Sequence, residues 1–137
     1  MPFFALIVSL LLSIEVVGPE SEVRPLAAAP TLVSPSGKAT IQHLARGQMA
    51  YVGRLEMAGG AAVPEHADAT EEYIHVLEGE GVITIDGKAS PVKAGDTVFM
   101  KAGARVSYQN GPAKMVAIQV FAGPTPADKY QQWKPAN

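Results

Sequence analysis

"GGAAVPEHADATEEYIHVLEGEG", residues 59–81, holds two of the chain's three histidines and a cluster of carboxylates. Its second half reads as a strand. In "EYIHVLE" Glu72, Ile74 and Val76 share one parity and Tyr73, His75 and Leu77 the other, and a period of two sends the two sets to opposite faces. His66, Asp68 and Glu72 have the same parity, so all three can point to one face if the turn "ADAT" keeps the phase. His75, three residues beyond Glu72, then faces outward, toward solvent or a subunit contact. Glu71 reads as a solvated outer charge, and a bulge would exchange its role with that of Glu72.

The same period extends along the chain. "ATIQHL", "MAYVGRLEM", "GVITID", "DTVFMK", "RVSYQ" and "KMVAIQVF" are short runs rich in β-branched and aromatic residues, separated by Gly and Asp turn signals. In "YVGRLEM" Tyr51, Gly53, Leu55 and Met57 fall on one face and Val52, Arg54 and Glu56 on the other, as in a sheet with one face on a core. Asp86-Gly87 predicts a two-residue type I′ hairpin with antiparallel strands on either side. These features give an all-β chain, closed as a barrel or folded as a two-sheet sandwich.

The spacing within the opening stretch is specific. Gly60, five residues, His66, one, Asp68, three, Glu72, six, Gly79 resembles the first motif of the cupin family, in which a second His stands where Asp68 is. The family's second motif is matched at Gly95, Gly103 and Asn110, with Lys101 where Pro is usual and Val106 where the last His is usual. The resemblance covers about residues 38–122 and implies a small antiparallel jelly-roll barrel, a double-sheet answer to exposed strand edges.

In cupins that bind a divalent metal, two His and one Glu of the first motif and one His of the second point into the barrel. Carried over by position, His66 and Glu72 are ligand positions, Asp68 replaces a histidine and Val106 cannot bind. One imidazole and two carboxylates form a candidate metal set, His66, Asp68 and Glu72, for manganese, iron, nickel or zinc, with the oxygen ligands favouring harder ions over copper. The alternative is a metal-free pocket in which His66 bonds Asp68 or Glu72 and leaves a polar floor for a small organic ligand. Buried carboxyls there would have raised pKa values, which makes Glu72, with His66, a candidate acid–base pair. Tyr108 shares parity with Val106 and is a candidate pocket residue. Pocket size depends on which of Tyr51, Met57, Phe99, Met100, Met115 and Phe121 point inward. His43 has no motif position and reads as a structural or surface histidine.

The 137 residues suffice for one domain, organised as an apolar segment over 1–18, a Pro/Ser/Ala-rich linker over 19–37, the barrel over 38–122 and a tail over 123–137. The tail holds a short helix from Ala127 to Trp133 that can lay Tyr130 and Trp133 against the barrel. "MPFFALIVSLLLSIEVVG" has the length of a signal-peptide core and falls short of a membrane span, so an exported protein is expected, with a cytoplasmic one as the alternative. A formal charge of -2 with scattered Lys and Arg argues against nucleic acid or an anionic membrane as partner, and the lack of cysteine excludes disulfides and thiolate chemistry. The family resemblance implies a homodimer.

Two functions are consistent with these residues. The first is a cupin-domain protein that binds a small molecule in its barrel beside a degenerate metal site. The second is a metal-dependent cupin enzyme, of isomerase, oxygenase, decarboxylase or lyase type, that uses His66, Asp68 and Glu72.

Overall fold

The computed structural model describes residues 19–136. The apolar segment over 1–18, on which the expectation of export rests, lies outside the described residues. Among the described residues no helix is long and apolar enough to cross a membrane.

Among the described residues eleven strands follow one another: β1 (Thr31–Val33), β2 (Ala39–Arg46), β3 (Tyr51–Met57), β4 (Ala62–Ala67), β5 (Glu71–Glu78), β6 (Glu80–Ile85), β7 (Lys88–Lys93), β8 (Thr97–Met100), β9 (Arg105–Asn110), β10 (Met115–Ala122) and β11 (Lys134–Pro135). They form a seven-stranded sheet in the order β11-β1-β2-β3-β10-β5-β8 and a four-stranded sheet in the order β4-β9-β6-β7. All pairings are antiparallel, giving the jelly-roll barrel that the motif spacing implies.

The alternation in β3 is realised: Tyr51, Gly53, Leu55 and Met57 are buried and the residues between them are half-buried. Tyr51 and Phe121 pack with ring centroids 5.9 Å apart, each fully enclosed. A side chain buried to this extent contributes about 1.5–3 kcal/mol. The hairpin between β6 and β7 turns at Asp86 and Gly87, with φ values of 48° and 82°, the positive angles a type I′ turn demands.

Residues 31–33, inside the stretch read as linker, form β1 and pair with both β2 and β11. The tail helix is present as a 3-10 helix, Thr125–Gln132, which buries Ala127 and Tyr130. An ion pair of 2.9 Å between Arg46 on β2 and Asp128 ties this helix to the barrel, and the Tyr130 and Trp133 rings meet edge-on at 4.9 Å. Two apolar clusters fill the space between the sheets. The first gathers Ile41, Tyr51, Leu55, Met57, Ala117 and Phe121, and the second Ile83, Val92, Val98, Met100 and Val106.

Candidate functional site

Between the two clusters the barrel keeps a cavity of about 480 Å³, within the range of small-molecule pockets. Its wall is largely apolar: Leu55, Met57, Ile74, Val76, Ile83, Val98, Met100, Val106 and Met115 all contribute. Of the aromatic and Met residues named as pocket candidates, Met57, Met100 and Met115 line it, and Phe99 lies outside with 54% of its surface exposed. Tyr51 and Phe121 belong to the core beside it. Tyr108 lines the cavity, and its hydroxyl donates to Asn110 Oδ1 at 3.1 Å. Asn110 in turn donates from Nδ2 to the carbonyls of Ala58 and Ala113, so this motif residue pins two loops.

One end of the cavity is polar. Glu72, on β5, is buried and faces the cavity, as the period of two requires. Gln119 Nε2 donates to Glu72 Oε2 at 2.8 Å, and Tyr130 donates its hydroxyl hydrogen to Gln119 Oε1 at 2.6 Å. The tyrosine therefore fixes which way the Gln119 amide points, and the amide fixes the Glu72 carboxyl. Burial pushes the Glu72 pKa up, and the Gln119 hydrogen bond opposes the rise only in part. Burial also pushes the Tyr130 hydroxyl far above the usual phenol range, so it is a permanent donor.

His66, near the end of β4, also lines the cavity. Its Nδ1 sits 3.0 Å from the Pro64 carbonyl and so carries hydrogen, which turns Nε2 toward Asp68 Oδ2 at 3.5 Å. The Asp68 partner holds the imidazole above its ordinary pKa against the opposing effect of burial. For Asp68, burial pushes the pKa up, but the hydrogen bonds to His66 and Lys129 outweigh it and the net shift is downward. Lys129, from the 3-10 helix, places Nζ 2.8 Å from Asp68 Oδ1 and 5.4 Å from the centre of the Phe121 ring, and it lines the cavity as well.

His66 and Glu72 thus meet at the main cavity, and Asp68 does not line it. All three border a recess of about 10 Å³, roughly the space of one water, closed on its other sides by Thr70, Met100, Lys101, Ala104 and Val106. Among the described residues no group of three or more His, Cys, Asp or Glu is arranged to hold a metal ion. As arranged, the donors do not fit a divalent cation: the ammonium of Lys129 already neutralises Asp68, Glu72 is bonded to Gln119, and Val106 contributes only methyl groups.

The remaining histidines do not line the cavity. His75 is on the outer face, with Nδ1 2.8 Å from Thr97 Oγ1. His43 has Nδ1 2.7 Å from the Tyr51 hydroxyl, a structural contact. Glu71 is exposed and accepts a hydrogen bond from Tyr73. Gln119 and Lys129 are the site residues that sequence reasoning missed. Gln119 was within reach, as the one polar side chain in the inward phase of Met115, Ala117, Gln119 and Phe121.

Residues 53–120 match the family model described as "Cupin domain". No curated protein matches the sequence. Several solved structures share the fold. An RmlC-like cupin from Shewanella frigidimarina superposes with a TM-score of 0.67 at 21% identity, over 75% of this chain and 92% of that one. A predicted oxalate decarboxylase from Thermotoga maritima gives 0.63 at 25% identity, over 75% and 99%. The polyketide cyclase RemF from Streptomyces resistomycificus gives 0.65 at 17% identity, over 74% and 79%. With both motifs on the barrel strands they are expected to occupy, the chain belongs to the cupin family.

Proposed function

We propose that this cupin binds a small organic molecule inside its barrel without a metal. The observation that carries the reading is the cavity of about 480 Å³, apolar over most of its wall and polar at the end formed by His66, Glu72, Gln119, Lys129 and Tyr130. Such a division suits a ligand with an apolar body and one polar group, because burial of the body supplies affinity and the few polar contacts set orientation. The test is a panel of small aromatic and short-chain carboxylic acids with their primary amides, screened by ligand-observed NMR and thermal shift. Members of the panel should bind, and Ala62→Trp, at an exposed position on the cavity wall, should abolish binding while leaving the fold intact. A panel that fails to bind, or binds Ala62→Trp equally well, would sink the proposal.

A second reading is catalytic. It is supported by Glu72, a buried carboxyl of raised pKa that faces the cavity beside His66, the arrangement of an acid–base pair. The Thermotoga maritima protein, described as a predicted oxalate decarboxylase, keeps an enzyme within the range of similar folds. If the reading holds, Glu72→Gln retains ligand binding and loses turnover. In its metal-dependent form, with His66, Asp68 and Glu72 as ligands, protein purified without chelators would contain manganese, iron, nickel or zinc at close to one ion per chain.

The proposal extends to a homodimer formed through the outer face of the seven-stranded sheet. Val52, Val120, Tyr73 and Phe99 are register neighbours in a row across β3, β10, β5 and β8. Tyr73 and Phe99 are 40% and 54% exposed, with ring centroids 5.2 Å apart. Light scattering should give twice the chain mass, and Phe99→Lys should shift it to the monomer. A monomeric mass for the unaltered protein would remove this part.

A further inference from the structure

We infer that Lys129 is the built-in cation of this barrel, and that the ligand it holds carries a carboxylate. The inference rests on the ligand-binding reading above and adds the chemical class of the ligand.

The side chains that line the cavity include two lysines, Lys38 and Lys129, against one carboxyl, Glu72, which is hydrogen-bonded by Gln119. Asp68 pairs with Lys129 but does not line the cavity, so the cavity wall itself is more cationic than anionic. Both lysines are exposed, but Lys38 makes no ion pair among the described residues, whereas Lys129 is fixed in place. Three contacts fix it. The ion pair to Asp68 is 2.8 Å, the Phe121 ring lies under the ammonium at 5.4 Å, and the flanking residues Asp128 and Tyr130 are bound to Arg46 and Gln119. An ammonium has three hydrogens and Asp68 accepts one, so two remain for a ligand in the cavity that Lys129 lines.

Position strengthens the argument. Asp68 stands at a metal-ligand position of the first motif, and its negative charge is balanced by a lysine from the far end of the chain. Val106, at the fourth ligand position, presents an apolar surface that leaves the lysine without a competitor. In this barrel a covalently attached charge takes the electrostatic part that a divalent ion would take, and attracts an anionic oxygen to the polar end. His66 and Glu72 flank that end.

The experiment pairs each acid of the panel with its amide, benzoate with benzamide and octanoate with octanamide among them, on the full chain. At least one acid should bind ten-fold or more tightly than its amide. Lys129→Met should remove that preference while still binding the amide, and Lys129→Arg should restore it. Amides that bind as well as their acids, or an acid preference that survives Lys129→Met, would overturn the inference and leave the ligand-binding reading standing. No binding by any member would overturn the ligand-binding reading itself. A second arm needs no organic ligand. Val106→His should remain insensitive to zinc and nickel in thermal unfolding, and Val106→His/Lys129→Met should be stabilised by them. Equal stabilisation of the two variants would show that the lysine does not hold the cation's place.

Discussion

His66 and Val106 are register partners across the β4–β9 pair, so the one motif histidine that remains faces the valine that stands where the other would be. Val106 is 7% exposed and packs with Ile83, Val98 and Met100. Val106→His would bury an imidazole among these apolar side chains with no partner provided for it. The expected cost is about 1–3 kcal/mol, the usual penalty for a buried polar group without a hydrogen bond. Urea denaturation checks this. A variant as stable as the parent would show that the space opposite His66 is wet or polar.

Gln119 is the hinge of the polar end, bonded to Glu72 through its amide nitrogen and to Tyr130 through its oxygen. Gln119→Leu strips both partners at once in a buried site. Each orphaned group costs about 1–3 kcal/mol, and the two share one side chain, so the losses need not add. The Glu72 pKa should rise further, because the hydrogen bond that restrained it is gone. Carbon-13 NMR titration of the glutamate carboxyls reports that shift directly, and a lower Glu72 pKa in the variant would contradict the network.

How far the site was readable from the sequence follows from the range of each interaction. The spacing of Gly60, His66, Glu72 and Gly79 placed His66 and Glu72 on the cavity, because strand parity is a local property. Asp68 escaped that logic: β4 ends at Ala67 and β5 begins at Glu71, so no strand period governs the residue between them. The pairing of β4 with β9 also shifts register between Val63 and His66, a break that parity counting does not register. Lys129 reaches Asp68 across 61 positions of sequence, a contact set by docking of the tail helix. β1 was hidden for another reason. Three residues between proline-rich flanks are too few to show alternation, and the strand is held by its partners β2 and β11.

Gly53 is required by a close approach. A Cβ built there would lie 2.6 Å from the Tyr51 hydroxyl and 2.8 Å from Ile41 Cδ1, both far inside contact distance. Tyr51 is fully buried and its hydroxyl bonds His43, so it has little freedom to retreat. Gly53→Ala should destabilise the fold by about 1–3 kcal/mol, the range for overpacking a filled core. Gly53→Ala combined with Tyr51→Phe should recover part of the loss by removing the nearest obstructing atom. The comparison of the two variants in thermal unfolding decides it, and no recovery would place the clash on Ile41 and the Tyr51 ring carbon 3.0 Å away rather than on the hydroxyl.

The pH dependence of stability follows from the signs of four shifts, those of His66, Glu72, Asp68 and His43. His66 has a raised pKa, so its contact with Asp68 contributes in full below its unfolded value of 6.5 and is lost as pH rises through the higher folded value. Glu72 is also raised, so its contribution is complete below 4.5 and likewise declines as pH climbs through its folded value. Asp68 is lowered and acts in the opposite sense: its contribution is present above 3.8 and disappears only as pH falls through its folded value. Between about pH 5 and 8, where histidine titrates, the first two lower stability as pH rises, the third is constant, and His43, whose pKa burial lowers, acts in the opposite sense. The two raised shifts pull the melting temperature down as pH rises across that interval, and the His43 shift opposes that fall. His66→Gln should flatten the part of the decline above 6.5, and Glu72→Gln the part that begins near 4.5. A slope that neither substitution alters would mean that the two groups do not titrate in the environments described.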